Sequence, residues 1–574
     1  MHRKAVTAAA ALTGSDQEIA NAWFRTLSPR ERIAQLIMIG FNGRAWNYRS
    51  REYRKFLKLV SQEHAGGLIL VNVANGRTVA KADPIEAAGI INRMQRLAKI
   101  PLLVSGDFER GASMRVDGTT AFPHAMAFTA SRDANEARLE GAITAREARA
   151  MGVQWLFFPD VDVNNNPDNP IINIRSYGEN PEDVEAFSSA FIAGAHSVDS
   201  ARVLVTAKHF PGHGDTATDT HLNLATISAD RARLEKIEWA PFRSAIQSGT
   251  DAIMTAHIAV PALDGTGIPA TLSPKILNGV LREELGFKGI VVTDALDMGG
   301  IAKGYSTGDA AVRALQAGAD VLLMPPDGMA AIDAVAAAIK SGELTQKRID
   351  ESAMRILVAK AHLGLAKEKL VNLDKIRSAI ATPESTATAQ QIADRSVTVV
   401  RNEGDFLPLK TTTDAAFFVL TESPVSVEGQ AFAMEMHKRN PNANVIVVNS
   451  GMTDSDLQIA VEKGAAANRF VVAAFASVAA YRGNLALGGG LPQMIQNLIA
   501  TKKPVALIAL GNPYLLRNFP DVAAYMTTYS TVPPSEVSTV KALLGEMPVS
   551  GKLPVTIPGF AKYGDGISVA AVSH

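Results

Sequence analysis

The sequence predicts an α/β protein: a (β/α)8 TIM-type barrel followed by an α/β sandwich. Three observations carry this expectation. Between residues 36 and 324, short apolar runs alternate with longer amphipathic stretches, the rhythm of parallel βα units. Several of those runs are almost continuously hydrophobic, as strands covered on both faces must be. A second alternating series follows a polar connector that ends near residue 388.

Taken in order, the strand candidates of the first series are 36–40, 67–71, 102–106, 155–158, 203–207, 252–255, 290–293 and 321–324. Between them, Asn180 before Pro181 and Ser273 before Pro274 mark helix starts with proline in the first turn. Eight such units in roughly 300 residues fit a barrel, a fold whose reactive residues sit just after the C-terminal ends of the strands. An amphipathic helix over 345–365 closes the series. The boundaries read as a leader over 1–19, a catalytic barrel over 20–366, a linker rich in Ser and Thr over 367–388, and a sandwich over 389–574 with strands near 417–420, 445–448, 470–475, 505–510 and 524–529.

Composition removes several function classes. Lys plus Arg and Asp plus Glu are equal at 57 each, so no net field draws phosphate backbones, and nucleic acid is not an expected partner. Cysteine is absent, which removes disulfides, thiolate metal sites and a thiol nucleophile. Any chemistry therefore rests on oxygen or imidazole. No run of about 18 apolar residues appears, so no membrane span is expected. His2, Arg3 and Lys4 precede an apolar stretch from Ala5 to Leu12, which reads as a signal remnant or as an Ala-rich leader. The compartment stays open, with export to the periplasm or outside favoured over the cytoplasm, and nothing sets the oligomeric state.

The densest chemistry is Lys208-His209-Phe210-Pro211-Gly212-His213-Gly214-Asp215, continuing to Asp219-Thr220-His221, at the end of the fifth strand. Pro211, Gly212 and Gly214 allow a sharp turn and then a mobile loop. Asp219 and His221 are two apart, so in an extended segment they project to one side. A carboxylate holding an imidazole stabilises the imidazolium and raises its pKa from about 6.5 toward values useful for proton donation. Loop caps and solvated polar groups remain the plainer reading of the same residues. Zinc or iron is a competing chemistry, but the candidate ligands crowd one glycine-broken loop, so neither metal nor organic cofactor is expected.

Four more strand ends add polar groups. Asp294 follows 290–293 directly, and of Asp294 and Asp297 the latter is the expected helix cap. Asp107 and Glu109 follow the third strand with Arg110 and Arg115 nearby, either orienting a sugar or forming a structural ion pair. Arg175 offers a bidentate donor beyond the fourth strand and the polar loop 160–169. His257 ends the sixth strand.

With these residues in view, the sequence resembles the family 3 glycoside hydrolases, and within them the bacterial β-N-acetylglucosaminidases (β-N-acetylhexosaminidases), whose signature reads K-H-F-P-G-H-G and then D-x-H. The resemblance runs from about residue 33 to 324, and the second domain resembles that of longer members. It implies Asp294 as nucleophile and His221, assisted by Asp219, as acid/base. It also implies that Asp107, Arg175, Lys208 and His209 hold the non-reducing-end sugar, with His257 and Met298 at flanking positions. The implied reaction is removal of terminal β-linked N-acetylglucosamine, with retention, from peptidoglycan fragments or chitooligosaccharides. In the family's β-glucosidases the nucleophile is typically followed by Trp and the acid comes from the second domain, whereas here Ala295 follows. One departure is Asp107-Phe-Glu-Arg-Gly-Ala-Ser where many relatives read D-Q-E-G-G-R-V. A β-glucosidase, a phosphorylase, a metal-dependent barrel hydrolase and an inactive sugar-binding protein remain alternatives.

Overall fold

A computed structural model describes residues 14–75, 78–476, 483 and 487–572. The apolar stretch from Ala5 to Leu12 lies outside the described residues. Of the segment assigned to a leader, the described part enters the helix Gly14–Arg25, which packs on Gln346–His362 through Ala20, Leu357 and Val358.

The first domain is a parallel barrel. Its strands are β1 (Ile37–Phe41), β2 (Gly67–Leu70), β3 (Leu103–Gly106), β4 (Trp155–Leu156), β5 (Leu204–Phe210), β6 (Ala252–Thr255), β7 (Ile290–Val292) and β8 (Leu322–Leu323). They pair in the order β7-β6-β5-β4-β3-β2-β1-β8, all parallel. A parallel bridge between Val292 and Val321 closes the ring. Every residue of β2 to β8 is buried, which explains why these strands read as unbroken apolar runs. The helix caps follow the sequence expectation at Asn180, whose side chain accepts from Glu182 N, with Pro181 in the first turn. At Ser273–Pro274 the helix Lys275–Glu284 is wound in the wider i→i+5 manner, and Ser273 Oγ accepts from Ile276 N at 3.4 Å.

The closing seam depends on one buried acid. Asp320, just before β8, accepts Val291 N at 3.0 Å and Arg282 Nη2 at 2.6 Å on one oxygen. Its other oxygen takes Ser352 Oγ and Arg355 Nη1 at 2.9 Å. One carboxylate thus ties β7 and the helices Lys275–Glu284 and Gln346–His362 into a single charged joint.

The second domain is a six-stranded mixed sheet between helices. Its strands are β9 (Thr398–Asn402), β10 (Ala415–Thr421), β11 (Asn444–Asn449), β12 (Arg469–Ala476), β13 (Val505–Gly511) and β14 (Ala524–Thr527), in the order β9-β14-β13-β12-β10-β11. Only β9, absent from the sequence reading, is antiparallel. Period-2 alternation splits the apolar residues between two cores: Phe418, Leu420 and Val472 face one layer of helices, and Phe417, Val419 and Val471 face the other. The first of these cores also takes Met126, Ala127 and Ile174 from the barrel domain, so the two domains share apolar surface. The helix Pro383–Ser396 starts inside the segment assigned to the linker and packs on Ala125–Ser131 and Pro533–Leu543. Further stitches join Thr556 N to Glu179 (2.7 Å), Arg132 Nη2 to Leu553 O (3.0 Å) and Asn164 Nδ2 to Tyr514 Oη (2.9 Å). Among the described residues no helix is long and apolar enough to cross a membrane.

Burial alone would raise the Asp320 carboxyl, but Arg282, Arg355 and Arg348 outweigh it and hold the pKa below its usual value. Its stability contribution is therefore present above about pH 4, the unfolded carboxylate's range, and is lost as pH falls through the folded value. Asp320→Asn is expected to cost about 3–5 kcal/mol at pH 7. Denaturant titrations of both proteins read this, and the gap between them narrows below about pH 4.

Candidate active site

All the polar strand ends named above reach one mouth of the barrel, and they divide into a rigid charged floor and a reactive rim. The floor starts with Glu109, which accepts Arg175 in bidentate fashion (Nε to Oε2 and Nη2 to Oε1, both 2.8 Å) and Lys208 Nζ at 2.6 Å. Lys208 reaches on to Asp107 at 3.3 Å and Asp160 at 3.7 Å. Arg175 Nε also stands 3.2 Å from Asp160 Oδ2, and Arg115 Nη2 donates to Asp107 at 2.7 Å. Strand ends β3, β4 and β5 are thereby cross-linked by alternating charges.

Burial by itself would neutralise these acids, and the cations decide which stay ionised. At Asp107, Lys208 and Arg115 prevail over burial and hold the carboxyl below its usual value. At Glu109, Arg175 and Lys208 do the same more strongly. At Asp160 burial wins and pushes the carboxyl up to about 7, with the nearby Glu109 charge adding to the rise. Lys208 and Arg175 are in turn fixed as cations by the acids around them.

Asp162 organises the next turn. It accepts His209 Nδ1 at 2.8 Å and the backbone N–H of His213 at 2.7 Å. Burial works against a charged His209, yet the Asp162 carboxylate raises its pKa. His213, held by Thr216 and Thr220 at 3.0 and 2.9 Å, is pushed down to about 4 by burial and stays neutral. Asp160, Asp162 and His209 bring ligand-type atoms within 4.8 Å of one another, a spacing a metal ion tolerates. Arg175 and Lys208 already face Asp160, so a cation there would meet two fixed positive charges. The cluster reads as an ion-pair network rather than a metal cradle.

The rim holds Asp294 and His221. Asp294 follows β7, and its Oδ1 accepts Ala295 N at 2.8 Å. Burial disfavours its charge, but His209, His257 and His221 lower its pKa and keep it ionised. His257 does not line the pocket. It stands behind the rim, where Nε2 donates to Ala295 O at 2.9 Å and Nδ1 meets Thr271 at 2.9 Å, and burial lowers its pKa against the pull of the Asp294 carboxylate. Met298 lines the pocket wall. Asp297 is no cap: Met298 occupies the N-cap position of the turn Gly299–Ala302, and the Asp297 carboxylate lines the cleft.

His221 is gripped by Asp219, whose Oδ1 accepts both the His221 backbone N–H (2.9 Å) and Nδ1 (2.8 Å). The pair forms through a turn rather than an extended segment, since Leu222 N and Asn223 N also return to Asp219 O. Asp219 is buried, and the His221 contacts hold its pKa low against that burial, with the Gly483 backbone of the second domain adding to the effect. Gly483 lies so near that a Cβ on it would stand 3.1 Å from Leu222 Cδ1. The glycines expected to loosen this loop instead let it pack. A Cβ on Gly214 would fall 1.7 Å from Val163 O, and Gly212 takes φ +118° against Glu238.

Asp107, Arg175, Lys208, His209, His221, Asp294 and Met298 thus share the lining of one pocket of about 390 Å³, while Asp219 and His257 support it from behind. Sequence reasoning passed over Asp160 and Asp162 as loop residues. Their position just after the fourth apolar run was the available signal. In Asp162→Asn the His209 titration, followed by proton NMR, is expected to move to lower pH, because the carboxylate that raises it is gone. An unmoved His209 would assign the shift to another group.

Comparison with known proteins agrees with this geometry. Residues 28–359 match the family described as glycosyl hydrolase family 3 N terminal domain. A protein of Cellulomonas fimi named beta-N-acetylglucosaminidase/beta-glucosidase is 29% identical over 86% of this chain and 88% of its own length. Beta-hexosaminidase A of Pseudoalteromonas piscicida is 27% identical over 87% and 90%. The solved structure of a family 3 β-N-acetylglucosaminidase from Paenibacillus sp. str. FPU-7 superposes with a TM-score of 0.82 at 32% identity, covering 92% of this chain and 99% of that one. The chain belongs to glycosyl hydrolase family 3 and is a glycoside hydrolase.

Proposed function

We propose that the protein is a retaining, exo-acting β-N-acetylglucosaminidase that removes terminal β-linked N-acetylglucosamine from peptidoglycan fragments or chitooligosaccharides. The observation that carries the reading is the Asp219–His221 grip facing an ionised Asp294. With Nδ1 donated to Asp219, the transferable proton sits on Nε2. Asp294 attacks the anomeric carbon while Nε2 protonates the departing oxygen. Water, deprotonated by the same nitrogen, then displaces Asp294 and restores the starting anomer.

Exo action is supported by the floor: the Asp107–Glu109–Arg175–Lys208 network lines a pocket of about 390 Å³ and offers paired donors and acceptors to the hydroxyls of a terminal ring. The choice of N-acetylglucosamine is supported by the names of the Cellulomonas and Paenibacillus relatives and by Ala295 after the nucleophile. The Cellulomonas name includes glucoside as a second substrate, so aryl glucoside and aryl N-acetylglucosaminide belong in the same assay.

Asp294→Asn is expected to lower kcat/KM more than about a thousandfold while the protein stays folded. His221→Ala is expected to lose roughly a hundredfold or more on substrates with poor leaving groups, and much less on 4-nitrophenyl glycosides, whose leaving group needs no proton. Equal losses on both substrates would give His221 a purely structural part.

A further inference from the structure

The catalytic pocket does not end at its own rim. A second cavity of about 400 Å³ adjoins it and shares Val71, Asp297 and Met324 as walls. It runs over the ends of β1, β2 and β8, past Asn42 and Asn72, to Trp46. Trp46 in turn lines a third, smaller cavity of about 230 Å³ together with Tyr48 and Arg93.

The direction of this groove is set by the site. The floor that holds the terminal sugar comes from β3, β4 and β5, and the nucleophile from β7. In a pyranoside the anomeric substituent points away from the hydroxyls on the far side of the ring. A sugar seated on the floor with its anomeric carbon at Asp294 therefore sends its leaving group toward Asp297 and Met324, where the groove begins.

The far end of the groove has the chemistry of a sugar platform. Trp46 is partly exposed, and its ring is fixed from behind by Phe56 at 4.6 Å and edge-on by Tyr53 at 5.6 Å. Tyr48 extends the aromatic surface, and Arg93 lies 4.9 Å from its ring centroid. A preorganised indole face offers the apolar C–H face of a pyranose a contact with little ordering cost, while Asn42 and Asn72 offer amide groups to its hydroxyls. The first groove cavity matches the catalytic pocket in size, so it has room for one further ring, and the next ring along meets Trp46.

We propose that this groove is a leaving-group subsite for a linear β-linked oligosaccharide, with Trp46 as the platform for its second sugar, so that chains of three or more units are preferred to disaccharides. The proposal rests on the function proposed above. The test measures kcat/KM for β-1,4-linked N-acetylglucosamine di-, tri- and tetrasaccharides in the wild type, Trp46→Ala and Trp46→Phe. The wild type is expected to favour the trisaccharide over the disaccharide by about fivefold, Trp46→Ala to lose most of that ratio and Trp46→Phe to keep most of it.

Tryptophan emission gives a second readout that needs no turnover, because Trp155 and Trp239 are fully buried and Trp23 packs beside Ala20 and Leu357, outside the groove. In Asp294→Asn the trisaccharide is expected to change the emission more than the disaccharide does, and the added Trp46→Phe substitution is expected to remove that difference. A wild type without length preference, or a Trp46→Ala loss equal on both lengths, overturns the subsite and leaves the proposed function standing. A wild type inactive on every N-acetylglucosaminide overturns both.

Discussion

Charges placed in a barrel mouth are costly unless each finds a partner, and that constraint shapes this site more than any other. Glu109 is the hub: it pairs at once with Arg175 from the β4 side and Lys208 from β5, and through Lys208 it reaches Asp107 and Asp160. Removing one partner would strand the others in a low-dielectric interior, so the network holds three strand ends in fixed relation. In the function proposed above, a terminal sugar then meets donors and acceptors that need no rearrangement, and its anomeric carbon is presented to Asp294 from a stable base.

The same economy of partners governs the rim. Asp294 stays ionised against its burial because His209 and a backbone N–H stand beside the carboxylate. His257 is withheld from the pocket and steadies the carbonyl of Ala295 instead. His221 is held at two atoms by one carboxylate oxygen, and the stretch leading to it is anchored through Asn169, which donates to the carbonyls of both His213 and Gly214. The second domain approaches this loop at Gly483, so the Asp219–His221 pair sits where the two domains meet.

The barrel was legible because each strand is covered on both faces and therefore reads as an apolar run. The Greek-letter exception is β9, whose Thr398 to Asn402 segment is short, ends in Arg401 and Asn402, and forms the antiparallel edge, so no period marks it. At the site, strand-end position alone located Asp107, Lys208, His209 and Asp294. Spacing located the Asp219–His221 pair but mistook its geometry, since a turn as well as an extended segment brings residues two apart together. Glycine ambiguity explains the loop: from sequence Gly212 and Gly214 signal freedom, whereas the fold uses their missing side chains for close contact with Glu238 and Val163. Asp160 and Asp162 carried only the positional signal of a strand end, because the partners that define them, Arg175 for Asp160 and His209 for Asp162, come from other segments that no local pattern pairs with them.

The account stands on covalent capture of the sugar by Asp294. A fluorinated N-acetylglucosaminide that accumulates its intermediate, followed by proteolysis and mass spectrometry, reads this directly. The added mass of one sugar is predicted on the peptide containing Asp294 and absent from that peptide in Asp294→Asn. An ester on any other side chain, or turnover of the reagent to the opposite anomer without a trapped adduct, would contradict it.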